Sequence, residues 1–393
     1  MNNTTSRAPR FWGLGVAALL AAALVAACGG GGSSTAGTAS ALAYTNGPIA
    51  GFGSIIVNGV RFDDSSARVE DEDGNASSGA KLALGTMVEV ESGGIDDGAG
   101  RATARIIRFG SEIVGKVATV DTVASTFTVL DQIVDVKPET VFDASLTLAG
   151  LKDKTVEVHA LLDAATGHYI ATRVEAEDNP AFYKLRGLVS HLDTTAKTFQ
   201  IGAAVISYAT IAAADLPANF ADASRVRVRL QTAQVGGQWV AVTIRGGVRK
   251  VEDHDDARLI GSVTAFTSAT DFEVNGLKVD ATNAKVDGTV ALGVRVALRG
   301  TVTNGVIVAS EVKVLKAGDD KIRGVELHGT ITGAPDAVAK TFVLRGVTVS
   351  WDATTVFKDG AEAQLVDGAK VEVKGVLSTD QKTLAAKLID FGS

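Results

Sequence analysis

The chain has 393 residues, 46% of them hydrophobic, which is too apolar for a disordered chain and too long for one small β domain. Its net charge of −7 makes it a poor general partner for nucleic acid. With one cysteine in the whole chain, no intramolecular disulfide can form, so stability must come from burial and β-ladders.

The N-terminus reads as a secretory signal. Arg7 and Arg10 form a basic start, and Phe11 to Ala27 is an unbroken apolar run of seventeen residues, at the low edge for spanning a bilayer. The run ends Leu24-Val25-Ala26-Ala27-Cys28: a branched residue, two small residues, then cysteine. That ending resembles the lipobox of bacterial lipoproteins. The resemblance implies cleavage between Ala27 and Cys28, and lipidation of Cys28 on sulfur. Each buried methylene contributes about 0.8 kcal/mol, so two or three acyl chains hold where one would not. Removing Arg7 and Arg10 with the leader leaves 36 basic against 45 acidic residues, a net charge near −9. Gly29 to Ser40, GGGGSSTAGTAS, is a flexible tether composition, and the tether is expected over 28–47. Gly29 stands where, in the lipoprotein family, an Asp favours inner-membrane retention. The expected location is therefore the bacterial cell envelope, lipid-anchored in the outer membrane, on its periplasmic or surface face.

The rest of the chain repeats itself. Gly115-Lys116-Val117, Gly187-Leu188-Val189, Gly261-Ser262-Val263 and Gly329-Thr330-Ile331 each lead to a strand centred on Phe127, Phe199, Phe272 or Phe342. The glycines are 72, 74 and 68 residues apart. Each unit then has an alternating strand (Val156-Glu157-Val158, Val226-Arg227-Val228, Val294-Arg295-Val296, Val371-Glu372-Val373) and a last strand rising through an alanine, as at Ala171 to Val174. A more divergent first unit carries Ile55-Ile56-Val57, Val88-Glu89-Val90 and Ala104-Arg105-Ile106. Period-two alternation marks half-buried strands. Asn58-Gly59 and Asn275-Gly276 lie between such runs, the strongest short hairpin signal, and Arg345-Gly346 holds the same place in the last unit.

The predicted fold class is all-β: a tandem array of about five small OB-like β-barrels following a signal peptide and flexible tether. Closing each sheet removes its exposed edges; an elongated string of β-sandwiches is the alternative. The expected boundaries are 1–27 for the signal, 28–47 for the tether, and 48–110, 111–178, 183–248, 257–317 and 322–393 for the five units. The polar runs Glu175 to Pro180, Arg249 to Asp256 and Lys316 to Lys321 read as linkers. Successive barrels are expected to project from the anchor as a jointed rod.

The opening phrase Gly47-Pro48-Ile49-Ala50-Gly51-Phe52-Gly53-Ser54-Ile55-Ile56-Val57-Asn58-Gly59-Val60 resembles the start of bacterial lipoproteins with repeats of the domain-of-unknown-function family numbered 5666. The recurring Gly-x-Val, Thr-Phe-x-Val, Val-x-Val and Ala-x-x-Val/Ile elements are similar to that family's repeat. The resemblance implies the fold and the lipoprotein context, and supplies no reaction, ligand or catalytic residue.

Candidate sites are few. The four phenylalanines each have an apolar partner two residues on, so they read as core rather than as a stacking platform. Glu70-Asp71-Glu72-Asp73-Gly74-Asn75 could take a hard cation but lacks the EF-hand pattern, so it reads as an acidic hairpin tip on the surface. Glu252-Asp253-His254-Asp255-Asp256 adds an imidazole, but neighbours in an extended chain point apart; it reads as a solvated linker. Arg225, Arg227 and Arg229 alternate along one strand face and are a candidate anion-binding stripe, with Arg245 and Arg249 nearby; the alternative is pairing with neighbouring carboxylates. The histidines 159, 168, 191, 254 and 328 have no spaced partner, and neither Gly-x-Ser-x-Gly nor His-Glu-x-x-His occurs. Gly51-Phe52-Gly53 precedes a strand and cannot cradle phosphate at a helix N-terminus. No catalytic residue, metal ligand or cofactor is assigned. The expected function is that of a non-enzymatic envelope scaffold or binding module. Its expected partners are the membrane, through the N-terminal lipid, and an envelope protein or glycan, with no nucleic acid. The alternatives are a ligand-binding lipoprotein for oligosaccharide, metal or small molecule, and a hydrolase with its site between repeats.

Overall fold

The structure is a computed structural model. It describes residues 42–52, 54–77, 82–96, 98–143, 146–248, 251–315, 325–344, 347–377 and 383–392. The signal, Cys28, most of the tether, Gly53, Arg249, the run 316–321 and the Arg345-Gly346 turn lie outside the described residues.

Unit 2 shows how each repeat closes. Its first strand, Ile113–Asp121, pairs antiparallel with Thr126–Val129, which pairs antiparallel with Gln132–Asp135. Gln132–Asp135 lies parallel to the last strand, His168–Ala176, at Val134 and Tyr169. That strand pairs antiparallel with Thr155–Asp163, which returns to the first strand at Val156 and Gly115. The strand order is therefore first, second, third, fifth, fourth and back to the first. One parallel contact closes five strands, as in an OB-like barrel.

The same order recurs in the other units. In unit 1 the first strand is Ala43–Phe52 and the last Arg101–Phe109. Unit 3 runs from Tyr183–Leu188 to Trp239–Gly246, unit 4 from His254–Ser268 to Val306–Val314, and unit 5 from Val325–Asp336 to Thr383–Asp390. The parallel contact is Ile206 to Trp239 in unit 3, Val279 to Ile307 in unit 4, and Val349 to Leu384 in unit 5. The chain is thus all-β, a tandem array of closed five-stranded barrels.

The local reasons are legible residue by residue. Asn58-Gly59 and Asn275-Gly276 both take positive φ at each position, 52° and 76°, and 52° and 81°, the mirror-image turn that matches strand twist. Phe127, Phe199, Phe272 and Phe342 are all buried in their barrels, as their alternation predicts. Three apolar clusters fill the array. One joins units 2 and 3, one joins units 1 and 5, and one belongs to unit 4 together with Tyr44.

Those clusters contradict the jointed rod. The first strand of unit 1 runs parallel to unit 4 from Ala43–Asn46 against Asp256–Leu259, then parallel to unit 5 at Gly51–Phe52 against Glu326–Leu327. Units 2 and 3 pair directly, Val114 and Ile113 against Lys184 and Leu185. The array folds back on itself, because one ten-residue strand has backbone to spare beyond its own barrel and uses it to satisfy the edges of two distant units.

Two boundaries move as a result. The tether was expected to run to residue 47, but strand begins at Ala43, where Tyr44 and Thr45 are fully buried between units. Unit 4 was expected from 257, but its strand begins at His254 and Leu42 carbonyl oxygen accepts from the Asp255 amide. The acidic run at 252–256 is therefore partly ladder rather than linker, with His254 buried against the Tyr44 ring.

Candidate functional site: charged joints between the barrels

The polar chemistry of this molecule gathers where barrels meet. The segment Asp71–Asn75 is a tight loop. Asp71 braces it: Oδ1 accepts from the amides of Asp73 (2.9 Å) and Asn75 (2.8 Å). Gly74 sits at φ +82°, a conformation costly for any residue with a side chain. This fold of the loop aims Glu72 and Asp73 away from unit 1 and into unit 3.

The arginine stripe receives them. In Arg225–Leu230 the residues Val226, Val228 and Leu230 face the barrel core, so the alternation sends Arg225, Arg227 and Arg229 to the opposite face. Arg227 holds both Glu72 (3.3 Å) and Asp73, and Arg229 holds Asp73 at 2.8 Å. Arg245 reaches Asp73 at 3.2 Å. Lys184 and Arg186, on the first strand of unit 3, contact Glu72 at 3.0 and 2.8 Å. Arg225 instead meets Glu112 (2.8 Å), which also binds Arg186 (3.2 Å).

Glu72 is a chemical extreme. Burial pushes its carboxyl up, but Lys184, Arg186 and Arg227 overcome that and hold it at about 2. The side chains of Glu72 and Asp73 are only 14% and 10% exposed, so the acidic hairpin is not the surface tip its composition suggests. The reason is complementarity: an opposed set of cations lies within reach, and a paired charge tolerates burial that an isolated one does not.

A cavity of about 440 Å³ opens beside this network. Residues from four units line it, among them Asn46, Arg108, Glu112, Leu162, Arg225 and Asn275. Asn275 donates to Asn46 Oδ1 at 3.0 Å, tying units 4 and 1 at its wall. Deeper in unit 1, Arg108 bridges Glu70 (2.6 Å) and Glu91 (2.5 Å).

Two further clusters were missed in the sequence. Glu157, His159 and Glu175 bring their ligand atoms within 4.8 Å of one another in unit 2, and Glu326, His328 and Glu372 do so in unit 5. Part of the signal is there: Glu157 and His159, like Glu326 and His328, stand two apart in a strand and share a face. The third member comes from a neighbouring strand and cannot be read from spacing. Glu175 is raised by burial but held at about 2 by His159 and Arg173. Among the other histidines, His168 pairs with Asp135 at 3.1 Å.

The DUF5666 family, a domain of unknown function, matches at residues 114–175, 260–313 and 328–390. Three tandem copies are therefore recognisable. They coincide with units 2, 4 and 5; the matches leave out units 1 and 3, which supply the acidic loop and its cationic partners. No curated protein matches the chain. A solved structure, Drosophila Unr CSD456, is 15% identical and covers 44% of this chain and 86% of its own, with a TM-score of 0.16. A superposition that poor carries no argument.

Proposed function

We propose that this chain is a lipid-anchored, non-enzymatic module of the bacterial cell envelope that acts as a scaffold or binding module. The observation that carries the reading is where the charged side chains go. Glu72, Asp73 and Glu112 are spent on arginines of another unit, so conspicuous polar chemistry is used to fix barrels to one another. A scaffold needs that use of charge. The anion-binding reading of Arg225, Arg227 and Arg229 takes a specific form under this proposal: the anions are the protein's own carboxylates. The anchor rests on the lipobox-like Leu24 to Cys28 and the Gly/Ser-rich stretch after it.

The test follows the lipid. Cells expressing the wild-type chain should incorporate labelled palmitate into it, and Cys28→Ser should abolish that label. Unchanged labelling in the variant would overturn the anchor. A second reading, ligand binding by an oligosaccharide or small molecule, is favoured by the cavity, whose volume lies in the range of small-molecule sites. A thermal-shift screen of envelope sugars and small metabolites with no stabilisation would remove it.

A further inference from the structure

The two Glu–His–Glu clusters differ in one respect that points to a ligand. In unit 5 the protein itself supplies a cation. Arg61 Nη2, from unit 1, lies 2.5 Å from His328 Nε2, 3.2 Å from Glu326 Oε1 and 3.4 Å from Glu372 Oε2. A positive nitrogen thus sits among all three ligand atoms, and Lys374 adds a second cation at 2.9 Å from Glu372.

Unit 2 holds its charges otherwise. Arg173 Nε contacts Glu175 Oε2 at 3.0 Å, leaving Oε1 turned to His159. Lys184 stands 3.9 Å from Glu157 and engages Glu72 at 3.0 Å instead. His159 is buried, and its Nδ1 lies 3.0 Å from the Gly110 carbonyl oxygen, with the Met87 amide nitrogen farther off at 3.4 Å. The Met87 amide is placed to donate to Nδ1 and the Gly110 carbonyl to accept from it, and the two contacts together hold the ring's orientation. Nε2 faces Glu175 Oε1 at 3.6 Å, too far for a good hydrogen bond. An imidazole nitrogen and two carboxylates thus converge within 4.8 Å of one another, while the cations beside them, Arg173 and Lys184, contact Glu175 and Glu157 respectively.

We propose that Glu157, His159 and Glu175 form a divalent transition-metal site, with zinc the cation their donor set fits. One imidazole and two carboxylates suit zinc, and ligands about 2.0–2.2 Å from a tetrahedral ion stand roughly 3.3–3.6 Å apart. The 3.6 Å separation of Nε2 and Oε1 is at that spacing. The Gly110 carbonyl stands where backbone carbonyls stand behind metal-bound histidines, in reach to orient the ring. All three ligands belong to two adjacent strands of unit 2, and the Gly110 and Met87 contacts set the site against unit 1. The proposal goes beyond the scaffold reading and does not depend on the lipid anchor.

The test uses the full mature chain and zinc chloride alone. Calorimetric titration should give one equivalent of zinc, with a rise in Tm at saturating metal. His159→Ala should abolish that binding. Glu157→Gln, which leaves the imidazole in place, should weaken it at least tenfold while the zinc-free Tm stays at the wild-type value. His328→Ala should retain the full equivalent. The proposal is overturned if the wild type binds no zinc, if binding survives in both unit 2 variants, or if it is lost in His328→Ala. A His159 ring that nitrogen NMR shows doubly protonated in the presence of saturating zinc would also overturn it.

Discussion

Glu72 offers the sharpest test of the idea that charge holds the barrels together. In the folded chain its carboxyl is held at about 2 against an ordinary value of 4.5, because three cations of unit 3 outweigh the cost of burial. That difference corresponds to roughly 3 kcal/mol of folded-state stability. The folded value is the lower one, so the contribution is complete above about pH 4.5 and disappears as pH falls from 4.5 towards 2. Glu72→Gln should therefore lose about 3 kcal/mol at pH 7, where it leaves Lys184, Arg186 and Arg227 without this carboxylate. The assay is urea unfolding followed by tryptophan fluorescence, run on both chains in steps from pH 7 to pH 2. Subtracting the variant from the wild type removes the other carboxylates and leaves the Glu72 contribution. The difference should be flat from pH 7 to pH 5 and then fall towards zero. A gap under about 1 kcal/mol at pH 7, or one that does not change below pH 5, would refute the reasoning.

Other perturbations probe the barrels and the contact between distant units. Phe272→Ala should cost about 3–5 kcal/mol, the range for a large aromatic removed from a closed core, read by the same unfolding assay. Gly51→Ala would place a Cβ 2.0 Å from the Glu326 carbonyl oxygen, so that backbone must yield. Its expected cost is about 1–3 kcal/mol, with faster hydrogen exchange at Glu326 and Leu327 and little change in unit 3.

How much of this was legible depends on which contacts lie close in sequence. Asn58-Gly59 and Asn275-Gly276 announce their hairpins because two positive φ angles are a local demand. Phe199 announces the core because its neighbour two residues on, Ile201, shares its face and is also buried. The acidic loop and the arginine stripe were each visible, but their meeting was not. They lie some 150 residues apart, and only the return of unit 1 to unit 3 makes one the partner of the other. The contact of Ala43–Asn46 with unit 4 left little hydrophobic pattern, since Tyr44 alone of these four joins the unit 4 apolar cluster and parallel backbone pairing with the Asn46–Asn275 hydrogen bond makes much of the rest. His159 was read as isolated because its partner Glu175 arrives on a separate strand.

The strand Ala43–Phe52 has a consequence for how the molecule is made. It is synthesised before any other described strand, yet residues 256–259 and 326–327 must follow before its outer positions can pair. A stack in which each repeat touches only its neighbours can propagate from either end. This one must wait for closure across more than two hundred residues, the kind of non-local step that slows folding. Until unit 5 emerges, Gly51 and Phe52 present an unfilled strand edge, and a chain cut short before residue 326 keeps it permanently. The last barrel therefore acts as the lock on the first.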